Sequence, residues 1–502
     1  MDETTEQIAE ELDHSAVHGS MLTFWQRFSY SLGEMGVSLS PAIVVSWFIY
    51  FYTGRPVMGA DPNTGEAIQT GTLFLVSPFA IGLLGLIGRL VDSVADPLVG
   101  FYSDKWHFKM GRRIPWVVFG TPFLILFSIL LWFPPDGEGM GQTLFSINGM
   151  VINANFLWLA FNISAFWFFY TVVVAPYLSL LPEITPYNDE RLKVSELMAY
   201  QDVVGMIIGS IAVGVLIDAF SGGWDLGFVH FTNGYQVAGV LIGVLFGVTF
   251  YMSIGWVREK PVDETKVVPF NILEAAKHCV ANPSFLPYIA AVSFLRLSVD
   301  ILVALIPFMV VNLMGLSESL AGIMQGIIVL AAAFAFPFVS RQAAKHGKKK
   351  ILELGLLTFS VGMVAMGAFY HFPFIGYAIK AVAGLFGKEL SIGWVQFLHC
   401  VFVLFGCAFS IGTVLVLPRP IYADVMDFDA ERTGYRREAM YNGMEGLITK
   451  FAAGVAVFIV PQLISILGAR PDKPWGPLAG IVVAALVMIA AWLSMRPYPI
   501  EK

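Results

Sequence analysis

Apolar stretches of about 20 residues recur along the whole of this 502-residue chain, and they constrain its fold more than any other feature. A helix of that length crosses the roughly 30 Å hydrocarbon core of a bilayer. Charged residues are 13% of the chain and the mean hydropathy is +0.71, whereas a soluble domain carries about 25% charged residues. A membrane β-barrel would show alternating segments of about ten residues instead. The sequence therefore predicts an all-α polytopic membrane protein.

We predict twelve membrane-spanning segments from these stretches. They cover residues 24–53, 71–102, 114–134, 151–182, 195–220, 234–256, 284–313, 317–340, 350–371, 392–418, 437–467 and 475–497. Lys and Arg are concentrated in the connections that follow the even-numbered segments. Residues 135–150 and 219–233 contain neither, and 372–391 contains only Lys380 and Lys388. Because basic residues are retained in the cytoplasm, both termini are predicted to be cytoplasmic.

The twelve segments divide into two halves that repeat weakly. The motif "GRR" (111–113), between segments two and three, is matched by "GKKK" (347–350), between segments eight and nine. Duplicated six-segment halves are typical of transporters, whose sites lie near the bilayer midplane between the halves. The predicted organisation is a cytoplasmic acidic tail (1–23), a six-helix bundle (24–256), a cytoplasmic loop (257–283), a second six-helix bundle (284–497) and a cytoplasmic tail (498–502).

The second segment contains three charged residues within an apolar run. In "GRLVDSVADPLVG" (88–100), Arg89, Asp92 and Asp96 are spaced i, i+3, i+7 and share one helical stripe. Ionisable residues within the membrane are expensive and usually functional. Two carboxylates about 6 Å apart resist full ionisation unless a cation or proton is shared between them. The pair therefore predicts a site for a monovalent cation or a proton, and the alternative is an Arg89 contact that only stabilises packing.

The eleventh segment contains a second polar cluster. "YNGMEGLITK" (441–450) places Asn442 and Glu445 near one face, with Lys450 a step further along. A buried lysine needs an acidic partner. We expect that partner to be Asp92 or Asp96 across the bundle, and a local pair between Lys450 and Glu445 is the alternative.

Two further segments carry isolated charges. Glu34 follows a glycine in "YSLGEMG" (30–36), an otherwise apolar and small-residue run. Without a partner it would be protonated or would face a water-filled cavity, and the second is the functional interpretation. Arg296 and Asp300 in the seventh segment are spaced i, i+4, so we expect them to pair with each other.

Taken together, "RLVDSVADPLVGFYSDKWHFKMGRRIPW" (89–116) resembles the glycoside–pentoside–hexuronide:cation symporter family of the major facilitator superfamily. The melibiose permeases are its familiar members. The similarity extends to "PYLSLLPEIT" (176–185) and "ADVMDF" (423–428), so it covers both halves. It implies the major facilitator fold, with twelve helices in two six-helix halves.

The resemblance also implies roles for individual residues. The coupling cation would bind the aspartate pair, with a fourth-segment threonine and the eleventh-segment lysine nearby. These positions are Asp92, Asp96, Thr171 and Lys450, and Asp92 and Asp96 would be the metal ligands if the cation is Na⁺. A first-segment carboxylate that contacts sugar corresponds to Glu34. The superfamily's cytoplasmic gating loop corresponds to Asp104, Gly111, Arg112 and Arg113.

The chain departs from the melibiose permeases at several positions. An asparagine that assists sodium is Ala95 here, so one hard oxygen ligand is lost and proton coupling becomes more plausible. The carboxylate and tryptophan that hold galactoside hydroxyls correspond to Val174 and Leu178, and a fifth-segment arginine corresponds to Met198 or Ala199. The resemblance therefore supports cation coupling but not a galactoside substrate.

We predict a secondary active symporter that imports a sugar, glycoside or similar small organic solute by alternating access, coupled to Na⁺ or H⁺. The alternative is a transporter of the same fold for a lysolipid or other amphiphile, since related vertebrate lysolipid transporters keep the same acids and lysine. In the empty, outward-facing state, we expect Lys450 and Arg89 to compensate the two aspartates. Candidate substrate-binding residues are Glu34, Arg89, Tyr170, Asn442 and Glu445.

An enzymatic function is not predicted. An intramembrane aspartyl protease needs one aspartate on each of two facing helices, whereas Asp92 and Asp96 share one segment. We expect no cofactor other than the coupling ion. The expected partners are a small-molecule substrate and membrane lipid but no nucleic acid, and we expect a multi-pass monomer in the cell membrane.

Overall fold

The computed structural model describes the chain from Leu22 to Ile500, apart from short internal segments. These segments are residues 61–66, 106–107, 109, 138, 148–149, 186–187, 228, 258–276, 387 and 435–437. Nearly all of the predicted tail at 1–23 and most of the predicted loop at 257–283 therefore lie outside the described residues. The side chain of Asp104 also lies outside them.

Helices account for most of both halves. The first half contains α1 (Phe24–Thr53), α2 (Pro78–Lys105), α3 (Ile114–Leu130), α4 (Ala154–Ile184), α5 (Asn188–Ile207), α6 (Val213–Ala219) and α7 (Gly234–Ile254). The second half contains α8 (Phe285–Pro307), α9 (Glu318–His346), α10 (Lys348–Gly367), α11 (Phe374–Leu385), α12 (Ile392–Gly406), α13 (Ala408–Val416), α14 (Pro418–Thr433), α15 (Glu438–Leu467) and α16 (Trp475–Met495). Two π-helical segments, Ile208–Ala212 and Phe308–Leu313, join α5 to α6 and extend α8.

The predicted spanning segments correspond to these helices. Within the described residues, ten helices are long and apolar enough to cross a membrane, and the bent pair Ile392–Gly406 and Ala408–Thr433 is an eleventh candidate. The third predicted segment contains α3, an apolar helix of 17 residues. The tenth segment was predicted as one run at 392–418, but its two parts meet at an angle of 56°. Both parts are apolar, so hydropathy alone does not reveal the bend.

Polar caps set several helix starts. Thr23 forms a capping box with Gln26 at the beginning of α1, and the Asn153, Asn233 and Ser391 side chains accept hydrogen bonds from the first turns of α4, α7 and α12. Such caps satisfy backbone N–H groups that have no partner within the helix. The Asn153 cap explains why the fourth segment becomes helical only at Ala154 rather than at the predicted residue 151.

Three antiparallel hairpins lie in connections of the first half, on the side of the bundle opposite the two termini. Their strands are β1 (Pro56–Ala60) with β2 (Ala67–Thr72), β3 (Thr143–Ile147) with β4 (Met150–Asn153), and β5 (Trp224–Asp225) with β6 (His230–Phe231). The predicted second and fourth segments began inside strands β2 and β4, so those two starts were wrong. The second half has helix α11 on the same side.

The two halves pack closely along α2 and α15. A Cβ atom on Gly82 would lie 2.9 Å from the Phe458 carbonyl oxygen, and one on Gly85 would lie 2.2 Å from a Val457 methyl carbon. Glycine at these positions therefore lets the two backbones approach. Helix α1 also contacts α8, and α9 contacts α6 and the π-helical segment before it.

Candidate cation-coupling site

One lysine joins the two aspartates across the interface between the halves. Lys450 on α15 donates hydrogen bonds from Nζ to Asp92 Oδ1 at 2.9 Å and to Asp96 Oδ2 at 2.7 Å. The sequence analysis expected one of these two acids as the partner of Lys450, and the lysine bonds both. The alternative pair with Glu445 is not formed, because the Glu445 carboxylate accepts a hydrogen bond from Tyr288 at 2.8 Å instead.

The two carboxylates have different surroundings. The Asp92 side chain is fully buried, whereas that of Asp96 is 35% exposed and that of Lys450 is 23% exposed. Thr171 on α4 donates a hydrogen bond to Asp92 Oδ1 at 2.7 Å. The other oxygen of Asp92, Oδ2, is buried without a hydrogen-bond partner. Asp92 is therefore the enclosed end of the site, and Asp96 is the end that solvent reaches.

Arg89 approaches the same carboxylate from within α2. Its Nη1 lies 3.7 Å from Asp92 Oδ2, which is too long for a direct hydrogen bond. The guanidinium carbon lies 3.6 Å from the centroid of the Trp167 ring on α4, a cation–π arrangement. A Cβ atom on Gly88 would lie 2.8 Å from that ring, so glycine makes room for it. Trp167 was not identified from the sequence, because most membrane aromatics contact lipid or the interface.

The residues predicted to contact substrate surround the space between the halves. Glu34 on α1 has one carboxylate oxygen buried without a hydrogen-bond partner. Tyr170 donates to the Val37 carbonyl oxygen at 3.0 Å, so its hydroxyl is already bonded within the first half. Asn442 is exposed, and Glu445 is partly exposed one turn further along α15.

Two charged residues of this space were missed by the sequence analysis. Asp202 on α5 lies near Glu34, because Ser38 bonds both the Glu34 and the Asp202 carbonyl oxygens at 3.1 Å. Arg419 at the start of α14 is within electrostatic reach of Glu34, Asp202 and Glu445. Both lie in polar stretches beyond the apolar centres of their segments. A charged residue is ordinary in such a stretch, so its presence there does not indicate a functional site.

The seventh-segment pair was predicted correctly. Arg296 Nε lies 3.1 Å from Asp300 Oδ2. The Arg296 side chain is 53% exposed although it lies within a spanning helix, so it faces an accessible space. Both residues are within electrostatic reach of Arg89.

The predicted gating loop is described in part. Gly111 has φ of +112°, a conformation that favours glycine. Arg113 donates a hydrogen bond from Nη1 to the Ser179 carbonyl oxygen, joining the loop to α4. Arg112 is partly exposed. In the second half, Lys348 on α10 pairs with Asp424 on α14, with Nζ 2.6 Å from Oδ1.

The donor set suits a hard monovalent cation better than a transition metal. No group of three or more His, Cys, Asp and Glu residues with metal-binding geometry occurs among the described residues. The two carboxylates and the Thr171 hydroxyl provide oxygen ligands, and Asp92 Oδ2 has no competing hydrogen bond. Hard cations prefer such oxygen ligands, so the residues present fit Na⁺ as well as a proton.

The positions that depart from the melibiose permeases do not all line a cavity. Ala95, Val174 and Met198 are 2%, 8% and 7% exposed and pack within the protein. Leu178 is 42% exposed. Ala199, the alternative to Met198, is exposed as well. Leu178 and Ala199 are therefore the positions of this set that are available to a substrate or a lipid.

Comparisons with known proteins agree with this architecture. The chain is 22% identical over 499 residues to the isoprimeverose transporter of Lactiplantibacillus pentosus, with 95% of this chain and 90% of the relative covered. It is 20% identical to the sodium-dependent lysophosphatidylcholine symporter 1 of Homo sapiens, with 100% and 90% covered. The solved structure of the nucleoside transporter NupG has the same fold, with a TM-score of 0.57, 11% identity, and 95% and 99% of the two chains covered.

All three of these proteins are named as transporters or symporters. The profile of the family described as "MFS/sugar transport protein" matches residues 29–502, which includes every residue of the aspartate–lysine cluster. The resemblance to the glycoside–pentoside–hexuronide:cation symporters agrees with these matches. The chain is a multi-pass membrane protein that belongs to the MFS/sugar transport family.

Proposed function

We propose that this protein is a cation-coupled symporter, rather than an enzyme, that moves a small polar organic solute by alternating access. The observation that carries the proposal is the position of Lys450 Nζ, 2.9 Å from Asp92 and 2.7 Å from Asp96. The lysine ammonium holds the position that a cation shared by these carboxylates would need. Cation binding must therefore displace Lys450 from the pair, and this displacement changes a contact between the two halves.

The conformation has a closed side opposite the termini. There Asn312 of the second half accepts a hydrogen bond from Tyr50 at 2.8 Å and donates one to the Gly54 carbonyl oxygen at 2.9 Å. Ser319 donates to Asp218 at 2.6 Å, again between the halves. Since that side is closed while Arg296 and Asp96 are exposed, we infer that the site opens towards the termini.

This conformation differs from the expected one. The sequence analysis assigned the Lys450 pairing to an outward-facing state. With both termini cytoplasmic, the same pairing belongs to an inward-facing state. The lysine then compensates the aspartates after the cation has left, so that the empty carrier can return without two uncompensated carboxylates in a low-dielectric interior.

The transport cycle follows from these contacts. On the outer side, a cation or proton neutralises the aspartate pair and frees Lys450. Solute binds between Glu34, Arg89, Tyr170, Asn442 and Glu445, and the halves rock until the side opposite the termini closes. A cation entering at a potential of 100 mV contributes about 2.3 kcal/mol of driving force. On the inner side, Lys450 returns to Asp92 and Asp96 as the cation dissociates.

The charged lining favours a polar solute over an amphiphile. Glu34, Asp202, Glu445 and Arg419 are grouped around the space between the halves. The second candidate is a lysolipid, favoured by the named lysophosphatidylcholine symporters among the relatives and by the exposed Leu178. We further propose that the protein acts as a monomer in the cell membrane, without nucleic-acid partner or cofactor beyond Na⁺ or H⁺.

The proposal is tested by the thermal stability of the purified full-length protein in sodium and in choline, at two pH values about 2 units apart. A ligand at 100 times its Kd stabilises the folded state by about 2.7 kcal/mol. Stabilisation by sodium that is lost in Asp92→Asn indicates a sodium site. A pH effect without a sodium effect, again lost in Asp92→Asn, indicates proton coupling.

Asp424→Asn is the matched control. It removes an aspartate that also pairs with a lysine, Lys348 at 2.6 Å, but lies outside the cation site. We expect this variant to retain the full sodium or pH response. An unchanged response in Asp92→Asn, or no response of the wild-type protein to either condition, contradicts the proposed coupling.

A further inference from the structure

Helix α11 is an apolar helix too short to cross a membrane. It contains 12 residues, Phe374–Leu385, and joins α10 to α12 on the side opposite the termini. At 1.5 Å per residue it is about 18 Å long, compared with roughly 30 Å for the hydrocarbon core. The sequence analysis treated residues 372–391 only as a connection with few basic residues, and did not predict this helix.

One narrow face of α11 packs against α12. A Cβ atom on Gly376 would lie 1.9 Å from the Val395 carbonyl oxygen, so glycine is required for this close approach. The Phe374 ring meets His399 edge-on, with centroids 4.8 Å apart. Gly376 is the only residue of α11 that is fully buried, and α11 is fastened to the bundle along this one line.

The remaining surface of α11 is exposed and apolar. The large apolar side chains on it and beside it are Phe372, Phe374, Tyr377, Val382, Leu385 and Phe386, which are 73%, 58%, 49%, 55%, 84% and 78% exposed. Lys380 is the single charged residue between 374 and 385. An apolar patch of this kind is unfavourable in water and marks contact with a membrane or a partner.

The neighbouring helices identify lipid as the contact. Val361 and Val364, near the end of α10 that leads to α11, are 64% and 59% exposed. Ile392 at the start of α12 is 53% exposed. Both helices belong to predicted spanning segments, so their exposed apolar side chains face the hydrocarbon. Helix α11 connects α10 to α12 on the side opposite the termini, so its exposed apolar side chains extend the lipid-facing surface of those two helices.

We propose that α11 lies in the membrane interface of the leaflet opposite the termini, with its aromatic and aliphatic side chains among the upper acyl chains. Helices that lie in the plane of the interface bury their apolar face about 5–10 Å into the boundary between headgroups and acyl chains. Lys380 extends to the headgroups, where it contacts the phosphate of an anionic lipid. The helix fixes the depth of the second half in that leaflet.

A spin label tests the position of α11. Leu385→Cys carries the label in full-length protein with Cys407→Ser, since Cys279 and Cys400 are fully buried. Ser221→Cys, in an exposed connection on the same side, is the matched control. In nanodiscs of phosphatidylcholine and phosphatidylglycerol, we expect the ratio of oxygen to nickel-chelate accessibility to be several-fold higher at position 385 than at position 221.

Either of two results would contradict the proposed location of α11 in the membrane interface. Nickel-chelate accessibility at 385 equal to that at 221 places α11 in water. Protection from both reagents with spin–spin broadening between labels places it against a second copy of the chain instead of lipid.

A second measurement tests the contact between Lys380 and the headgroup of an anionic lipid. The Tm of the wild-type protein should be higher in nanodiscs containing phosphatidylglycerol than in phosphatidylcholine alone, and Lys380→Gln should reduce that difference. Lys345→Gln, a lysine on the terminal side, is the control for general charge effects and should reduce it less. An identical difference in wild type and Lys380→Gln overturns the headgroup contact.

Discussion

At the scale of single residues, the site depends on one ammonium between two carboxylates. Asp92 is fully buried and shares Oδ1 between Lys450 and Thr171, while its Oδ2 has only Arg89 at 3.7 Å. Removing one partner from a buried ion pair costs about 3–5 kcal/mol, because the remaining charge stays buried. Each member of the cluster therefore affects both stability and cation affinity.

Lys450→Met leaves Asp92 and Asp96 without their ammonium. We expect the variant to be less stable than wild type at pH 8 without sodium, by about 3 kcal/mol. Thermal unfolding of the variants measures this. Lys450→Arg keeps the charge and should lose less, and a Met variant as stable as the wild type contradicts the assignment.

Thr171→Val removes the hydroxyl that donates to Asp92 but keeps the shape of the side chain. A hydrogen bond to a charged group contributes about 1.5–3 kcal/mol, so cation affinity should fall about tenfold or more. Titration of the cation-dependent shift in Tm measures the affinity. Thr171→Ser keeps the hydroxyl and is the control. Equal affinities for the Val and Ser variants would show that this oxygen is not part of the site.

At the scale of helices, both π-helical segments occur at contacts between the halves. The segment Phe308–Leu313 carries Asn312, which bonds Tyr50 in α1 and Gly54 directly after α1. The segment Ile208–Ala212 lies against α9, where a Cβ atom on Gly322 would be 2.5 Å from the Ser210 carbonyl oxygen. π-Helical turns are rare in proteins, and those that occur are often found at functional sites. Their positions indicate that these turns shape the closed side.

Asn312→Ala removes two hydrogen bonds between the halves and leaves the buried Tyr50 hydroxyl unpaired. Each unsatisfied group costs about 1–3 kcal/mol, so the population with the closed side should decrease. Distances between spin labels placed on that side of the two halves measure the shift. Ser298→Ala removes a buried bond within the second half, to Ala484 at 2.7 Å. It should destabilise the protein without changing those distances. Equal distance distributions for both variants would show that the contacts of Asn312 do not hold that side closed.

Gly322→Ala introduces a methyl group into the contact between α9 and the first π-helical segment. Overpacking costs about 1–3 kcal/mol, so the closed conformation should become about 5- to 150-fold less populated. The same label distances report it. Gly480→Ala, which meets only Leu305 within the second half at 2.5 Å, is the control. Unchanged distances in Gly322→Ala would show that this contact does not limit closure.

At the scale of the whole molecule, cation binding can drive solute transport only if it changes both the aspartate–lysine site and the contacts that close the side opposite the termini. The contacts of Lys450, of Asn312 and of Asp218 with Ser319 all join the two halves, so a cation that displaces Lys450 changes the interface that also closes opposite the termini. The cation gradient can therefore drive solute transport only while Asp92 and Asp96 can bind the cation on one side and release it on the other.

Asp96→Asn removes the exposed carboxylate of the pair and prevents that binding and release. Once the solute has been identified by screening, we expect uptake by this variant in proteoliposomes to be independent of the cation gradient, while exchange of solute across the membrane persists. Asp424→Asn should respond to the gradient as the wild type does. Gradient-dependent accumulation by Asp96→Asn would exclude the aspartate pair as the coupling site.

Sequence alone was enough to predict the membrane-spanning helices, the alignment of Arg89, Asp92 and Asp96 on one stripe, and the pairing of Arg296 with Asp300. These features depend on hydropathy and on helical periodicity, which are local properties of the chain. Because a buried lysine needs an acidic partner, Lys450 was also expected near Asp92 or Asp96, and the family resemblance added Thr171.

Contacts between distant helices could be predicted only in part. Lys450 was expected to meet Asp92 or Asp96, but it bonds both acids, more than 350 residues away. The stacking of Arg89 on Trp167 of another helix was not predicted. Asp202, Arg419, the bend near Cys407 and the closed side opposite the termini likewise depend on how helices pack. Apolar composition drives helices into the bilayer but is nearly the same for every pair of them, so it does not specify which faces come together.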